Sequence, residues 1–147
     1  MLAVFVLDRV TKIWILKTMF LGESKQILPF LAVTYVENTG IAFGFGQNNN
    51  RVFLVLSILL FGILIFLRRS WQKQYGANRI LEIGFALVIG GALGNIYDRI
   101  VYGSVVDFLD FFVGRHHWPA FNVADSAICI GAFILAFLQV SVTKTDI

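Results

Sequence analysis

The sequence predicts an all-α membrane protein: four transmembrane helices with a small extracytoplasmic β-sheet between the first two. Three observations predict this. Hydrophobic residues make up 58% of the 147 and charged residues 14%, and the mean hydropathy is +0.78, far outside the soluble range. Four apolar stretches approach the ~20 helical residues that cross ~30 Å of hydrocarbon. Between the first two lies a segment of β-branched and aromatic residues broken by glycines, a strand pattern rather than a helical one.

The first span covers residues 2–20. Its apolar run is broken by Asp8, Arg9 and Lys12 and has no small-residue cleavage site, so it reads as a retained helix and not a secretory signal. Residues 21–51 are the sheet-forming segment, with ILPFLAVTYVEN and GIAFGFG as its strands. The second span, residues 52–67, is a short, uncharged run of Val, Leu, Ile and Phe suited to packing or to facing lipid. The third and fourth spans cover residues 80–97 and 122–142, joined by a second large loop over residues 99–119.

Orientation follows from Lys and Arg in short loops. RRSWQKQYGANR holds Arg68, Arg69, Lys73 and Arg79 with no acid, which places it in the cytoplasm. Both termini then lie inside, in agreement with Lys144, and the two large loops face outward, with Trp71 and Trp118 as interfacial anchors.

Composition also narrows the chemistry. The net charge of +3 comes from scattered Lys and Arg, with no basic stripe of the kind that tracks phosphates, so nucleic acid is not an expected partner. A single cysteine, Cys129, rules out an internal disulfide and a multi-cysteine metal site, and reads as a small buried hydrophobe. His116 and His117 are adjacent and lack metal-ligand spacing, so they read as loop residues near the headgroups. No metal and no cofactor are expected.

The remaining polar residues are costly in lipid and so carry information. Asp8 and Lys12 stand at i and i+4, on one helix face within ion-pair reach. In GGALGNIYDR, Gly90 and Gly94 have the small-xxx-small spacing of close helix contacts. Asn95 and Arg99 project together just beyond them, and Asp98 reads as a structural residue that pairs with Arg99 or caps the loop. GSVVDFLDFFVG holds Asp107 and Asp110, and FNVAD holds Asn122 and Asp125 in a capping-box arrangement. Asp125 lies where the positive end of a helix dipole favours negative charge. Asn38 reads locally as a turn residue before a strand.

Carboxylates, amides and an arginine thus gather at the outward ends of the third and fourth spans, with no Ser/His or Cys/His pair beside them. Two carboxylates in one site cannot both ionise easily, so the pair holds one proton and can activate water. Aspartyl acid–base hydrolysis is one reading. A small proton- or ion-coupled membrane carrier is another, and interhelical glue in an assembly subunit is a third. The residues alone leave all three open.

Five motifs in order, DRVTK (Asp8–Lys12), NTGIAFG (Asn38–Gly44), GGALGNIYDR (Gly90–Arg99), VVDF (Val105–Phe108) and FNVADSAI (Phe121–Ile128), closely resemble the bacterial lipoprotein signal peptidases, or signal peptidase II. The resemblance covers nearly the whole chain and implies a single integral membrane peptidase domain over residues 1–147. It implies four helices with both termini cytoplasmic in the bacterial inner membrane and an active site on the extracytoplasmic face. The implied protein is a monomeric aspartyl endopeptidase that cuts diacylglyceryl-modified prolipoproteins just before the lipidated cysteine, in contact with membrane lipid. The resemblance makes Asp107 and Asp125 the catalytic pair, with Asp110 the competing acid in DFLDF. Asn38, Asn95, Arg99 and Asn122 match substrate-binding or dyad-holding positions, and Asp8, Lys12, Gly91 and Gly94 match supporting ones. It also implies a β-sheet cradle on the membrane surface and a short crossing helix serving as a lid. Seven residues precede Asp8, fewer than the resemblance implies, so the cytoplasmic end of the first span is expected to be short.

Overall fold

The computed structural model describes residues 1–40, 46–76 and 78–143, so most of GIAFGFG and also Lys144 lie outside the described residues. In chain order the elements are α1 (Leu2–Thr18), β1 (Ser24–Leu28), β2 (Leu31–Asn38), α2 (Asn50–Tyr75), α3 (Arg79–Val101), β3 (Val105–Val113), β4 (His116–His117) and α4 (Val123–Thr143). The short crossing helix that the resemblance implies does not occur among the described residues.

Helix α1 is built inside out. Its buried residues are Asp8, Arg9, Lys12 and Ile15, whereas Val6, Leu7, Val10, Ile13 and Trp14 are exposed. In water this pattern would waste apolar surface; in a bilayer, lipid is an acceptable solvent for those side chains, and the charges must turn inward. The most apolar stretch of α2, with mean hydropathy 2.4, likewise has no buried residue. Among the described residues, α2 and α3 are long and apolar enough to cross a membrane, and Val123–Gln139 of α4 is a shorter apolar helix.

The predicted second span ends at Leu67, but α2 continues through the basic residues to Tyr75. Lys, Arg and Gln are good helix formers, and the Arg68 Nη2–Glu82 contact of 2.7 Å ties this extension to α3. Trp71, expected as an interfacial anchor, packs edge-on against Phe85 with ring centroids 5.7 Å apart. Helix α3 begins where the Asn78 side chain accepts hydrogen bonds from the Ile80 and Leu81 amides. It runs through the middle of the fold, touching the other three helices and β3.

The 99–119 segment, expected as a loop, contains two strands. β3 pairs antiparallel with β2, with Leu31 opposite Phe111, Val36 opposite Asp107 and Asn38 opposite Val105, across a bulge between Val33 and Val36. The sheet order is β1-β2-β3-β4. Residues 105–108 of β3 are all buried, so VVDF lacks the alternation that marks a half-buried strand. Ile15 and Met19 below, and Tyr35, Val106 and Phe108 above, form the core that seats the sheet on the end of α1.

Helix α3 approaches its neighbours through glycine. A Cβ on Gly91 would strike the Ala124 carbonyl oxygen and come within 2.9 Å of Ile128, and one on Gly94 would strike the Asp8 carboxylate. Gly91→Ala is expected to push α3 off α4 and destabilise the protein by ~1–3 kcal/mol. Gly62→Ala on α2, where an added Cβ meets nothing within 4 Å, should stay within ~1 kcal/mol of wild type. Thermal unfolding in detergent compares them, and equal melting of the two variants would contradict the close-packing account.

Candidate active site

The first turn of α4 carries the pair that the sequence suggested as a capping box. The Asn122 Oδ1 accepts from the Asp125 amide at 2.9 Å, and the Asp125 Oδ2 accepts from the Asn122 amide at 3.2 Å. This reciprocal cap satisfies two helix-end donors and fixes both side chains. It leaves the Asn122 Nδ2 to donate to Asp107 Oδ1 at 2.7 Å. The same nitrogen also reaches Asn95 Oδ1 at 3.2 Å and the Val106 carbonyl at 3.3 Å.

Asp107 sits on β3 and is 3% exposed. Its second oxygen accepts from Asn38 Nδ2 at 3.1 Å. Asn38 is therefore more than a turn residue: its Oδ1 accepts from the Gly40 amide at 3.0 Å, and the Gly40 carbonyl in turn accepts from Arg99 Nη2 at 2.9 Å. Asn95 donates through Nδ2 to Asp125 Oδ1 at 2.7 Å. Asn38, Asn95, Arg99, Asp107 and Asp125 all line one cavity of ≈ 570 Å³, and Asn122 bridges the two acids from beneath. Burial pushes the Asp107 carboxyl up to about 7, with the Asp125 charge adding to the rise. Hydrogen bonds from Asn38 and Asn122, and the Lys12 charge, oppose it.

The supporting charges form a closed ring. Lys12 Nζ contacts Asp8 at 3.0 Å and Asp98 at 2.7 Å, while Arg9 Nη2 contacts Asp8 at 3.1 Å and Asp98 at 2.6 Å. The Arg9–Asp98 contact is a close ion pair rather than an aligned hydrogen bond. The predicted Asp8–Lys12 pair is present. Asp98 makes no ion pair with Arg99 among the described residues; it turns toward α1, because its two cations lie there, and its Oδ2 also accepts from the Val106 amide at 3.3 Å, which closes the loop between α3 and β3. Sequence analysis did not find the part played by Arg9, which also lies 4.7 Å over the Tyr97 ring. Its position beside Asp8 was the available signal.

Asp110 is elsewhere. It contacts Thr34 Oγ1 at 3.3 Å and His117 Nδ1 at 2.9 Å, and is absent from the cavity lining. An odd separation along a strand puts two side chains on opposite faces, so Asp107 and Asp110 cannot share a site. His117 is accordingly a partner of Asp110, not only a loop residue. Cys129, expected to be a buried hydrophobe, is exposed and lines the cavity. It stands one turn beyond Asp125 on the same face of α4, a spacing that could have revealed it. Trp118, Pro119, Phe121 and Val105 complete the apolar wall.

Two carboxylates and their amide partners around one cavity, at the end of an apolar helical scaffold, define an aspartic hydrolase. The sequence profile of the Signal peptidase (SPase) II family matches residues 1–141. The chain is 45% identical over 136 residues to the lipoprotein signal peptidase of Alteromonas mediterranea, covering 89% of this chain and 72% of that protein. It is 44% identical over 140 residues to that of Burkholderia thailandensis, covering 92% and 82%. A solved structure described as a bacterial membrane enzyme superposes with a TM-score of 0.85 at 33% identity, covering 97% of this chain and 85% of the other. The chain belongs to the signal peptidase II family of aspartic proteases. The carrier reading is not favoured by that membership.

The ring generates a stability prediction. Removing one member of a buried ion pair leaves an uncompensated charge and costs ~3–5 kcal/mol. Asp98→Ala, which strips a 0%-exposed carboxylate from both Lys12 and Arg9, should lower thermal stability by that order. A melting temperature equal to wild type would contradict the role assigned to the ring.

Proposed function

We propose that the protein removes the signal peptide from diacylglyceryl-modified prolipoproteins, cutting just before the lipidated cysteine, with Asp107 and Asp125 as the catalytic dyad. The observation that carries this reading is the linked pair itself: Asn122 donates to Asp107 while its backbone and side chain hold Asp125, and both acids face the same cavity. One proton is shared between them. Asp107, deeply buried and with its carboxyl raised to about 7, holds it; Asp125, at the positive end of α4, is the base.

A water between the two carboxyls gives a proton to Asp125 as its oxygen attacks the scissile carbonyl carbon. Asp107 donates its proton to the carbonyl oxygen, which produces a tetrahedral gem-diol. Collapse of this intermediate returns a proton to Asp107, and Asp125 protonates the departing amine. Low dielectric strengthens each of these transfers. Arg99 and Asn38 hold the substrate backbone; Arg99 suits this because its Nε has no partner among the described residues. The apolar wall of Val105, Trp118, Phe121 and Cys129 receives the side chains around the cut.

The same geometry supports a reading of the topology. The strands lie in the connections from α1 to α2 and from α3 to α4, α1 and α3 touch β3, and the basic stretch Arg68–Arg79 is at the opposite end of α2 and α3. We read this as four crossings by a monomeric, single-domain protein of the bacterial inner membrane. Both termini and the basic stretch are cytoplasmic, and the sheet and cavity face outward at the lipid headgroups.

Asp107→Asn and Asp125→Asn should each abolish cleavage of a diacylglyceryl-modified precursor in detergent, with chelator present, while leaving the fold intact. Asp110→Asn should keep most of the activity. Full activity of the Asp125→Asn variant would sink the dyad. The pH profile supplies a second check. The active form carries one proton on Asp107, so kcat/KM should fall as pH rises through about 7; a rate that climbs steadily to pH 9 would contradict it.

A further inference from the structure

Lys12 is 0% exposed and belongs to α1, which, like α2, has no residue in the cavity lining among the described residues. A cation whose only duty was to neutralise Asp8 and Asp98 would need two contacts. Lys12 makes three, the third to Asn95 Oδ1 at 3.0 Å. An ammonium has three donors and no acceptor, so this third contact can be made only to the oxygen of the Asn95 amide. That forces the other end of the amide, Nδ2, toward Asp125 Oδ1 at 2.7 Å. The sense of the amide is consequential. Reversed, Asn95 would present a nitrogen to Lys12 and to Asn122 Nδ2, and an oxygen to a carboxylate, with every contact repulsive.

We infer that Lys12 is a positioning residue for the hydrolytic reaction: by fixing the orientation of the Asn95 amide, it holds Asp125 in the geometry of the base. This rests on the dyad reading above and goes beyond the supporting role that the family resemblance implied for Lys12. The chain of contact runs from Lys12 to Asn95 to Asp125, with a branch from Asn95 Oδ1 through Asn122 to Asp107. The ring secures the acids a second way. Asp8 Oδ1 accepts from the Ala124 amide at 3.0 Å and Asp98 Oδ2 from the Val106 amide at 3.3 Å. Those are the residues directly before Asp125 and Asp107.

The test separates Lys12 as a donor from Lys12 as a charge. Lys12→Met alone leaves the ring unbalanced, so the informative variants are the neutral doubles Lys12→Met/Asp8→Asn and Lys12→Gln/Asp8→Asn. Both keep the Arg9–Asp98 pair, and an asparagine at position 8 can still accept from the Ala124 amide. Only the glutamine restores a donor to Asn95. In detergent, with a precursor peptide carrying a diacylglyceryl-modified cysteine, the methionine double should lose kcat by roughly ten- to a hundred-fold. Its KM should stay within about two-fold of wild type, and the glutamine double should recover most of kcat at equal thermal stability. Equal kcat in the two doubles would overturn the proposal. Asp125→Asn measured in parallel keeps the outcomes apart: activity there would defeat the dyad, whereas inactivity there with equal doubles would defeat only the role given to Lys12.

Discussion

Everything at the sheet end of this protein hangs on four buried charges that satisfy one another. Asp8, Arg9, Lys12 and Asp98 alternate in sign around a closed ring with net charge zero. Each carboxylate meets two cations and each cation two carboxylates, and this makes their burial tolerable where an isolated pair would struggle against its desolvation. The ring also makes α1 the hub of the layer that carries the sheet. Through the Ala124 and Val106 amides it fixes where α4 begins and where β3 enters. The glycines of α3 answer the same demand, since a side chain at Gly94 would occupy the place of the Asp8 carboxylate.

The site inherits its geometry from this brace. Among the described residues, neither Asp107 nor Asp125 contacts a cation directly in a hydrogen bond; each is held by neutral amides, from Asn38 and Asn122 on one side and from Asn95 and Asn122 on the other. Neutral donors orient a carboxylate without discharging it, so the pair keeps the mutual repulsion that traps one proton. A direct arginine partner would pull both acids to full ionisation and remove the acid from acid–base catalysis. Arg99 lies in the cavity wall but spends its Nη2 on the Gly40 carbonyl, which preserves that balance.

Much of this was legible in the sequence, and the rest was hidden for identifiable reasons. The i, i+4 spacing of Asp8 and Lys12 and the capping box of Asn122 and Asp125 are local geometries, and local geometry survives in sequence. The attachment of Asp98 to α1 was not legible, because its partners are distant in the chain and Arg99 beside it was the nearer candidate. Strand β3 was hidden because VVDF is buried on both faces and reads as an apolar run. Once β3 is known, strand parity puts Asp107 and Asp110 on opposite faces, and the Asn122 contact puts Asp107 on the face of the cavity. Cys129 was misjudged by composition: its apolar neighbours in sequence do not bury it, because its face of α4 borders the cavity, and its one-turn spacing from Asp125 was the better guide.

The central claim is that Asp107 and Asp125 act as one unit on one water. A structure of the protein bound to a peptide whose scissile carbonyl is replaced by a hydroxyl, mimicking the tetrahedral intermediate, tests it most directly. The account predicts that this hydroxyl lies between the two carboxyls, within ~2.5–3.0 Å of an oxygen of each. Asn95 and Asn122 should keep their present contacts. A hydroxyl bound to only one of the acids, or seated against Arg99 with the two carboxyls apart, would contradict it.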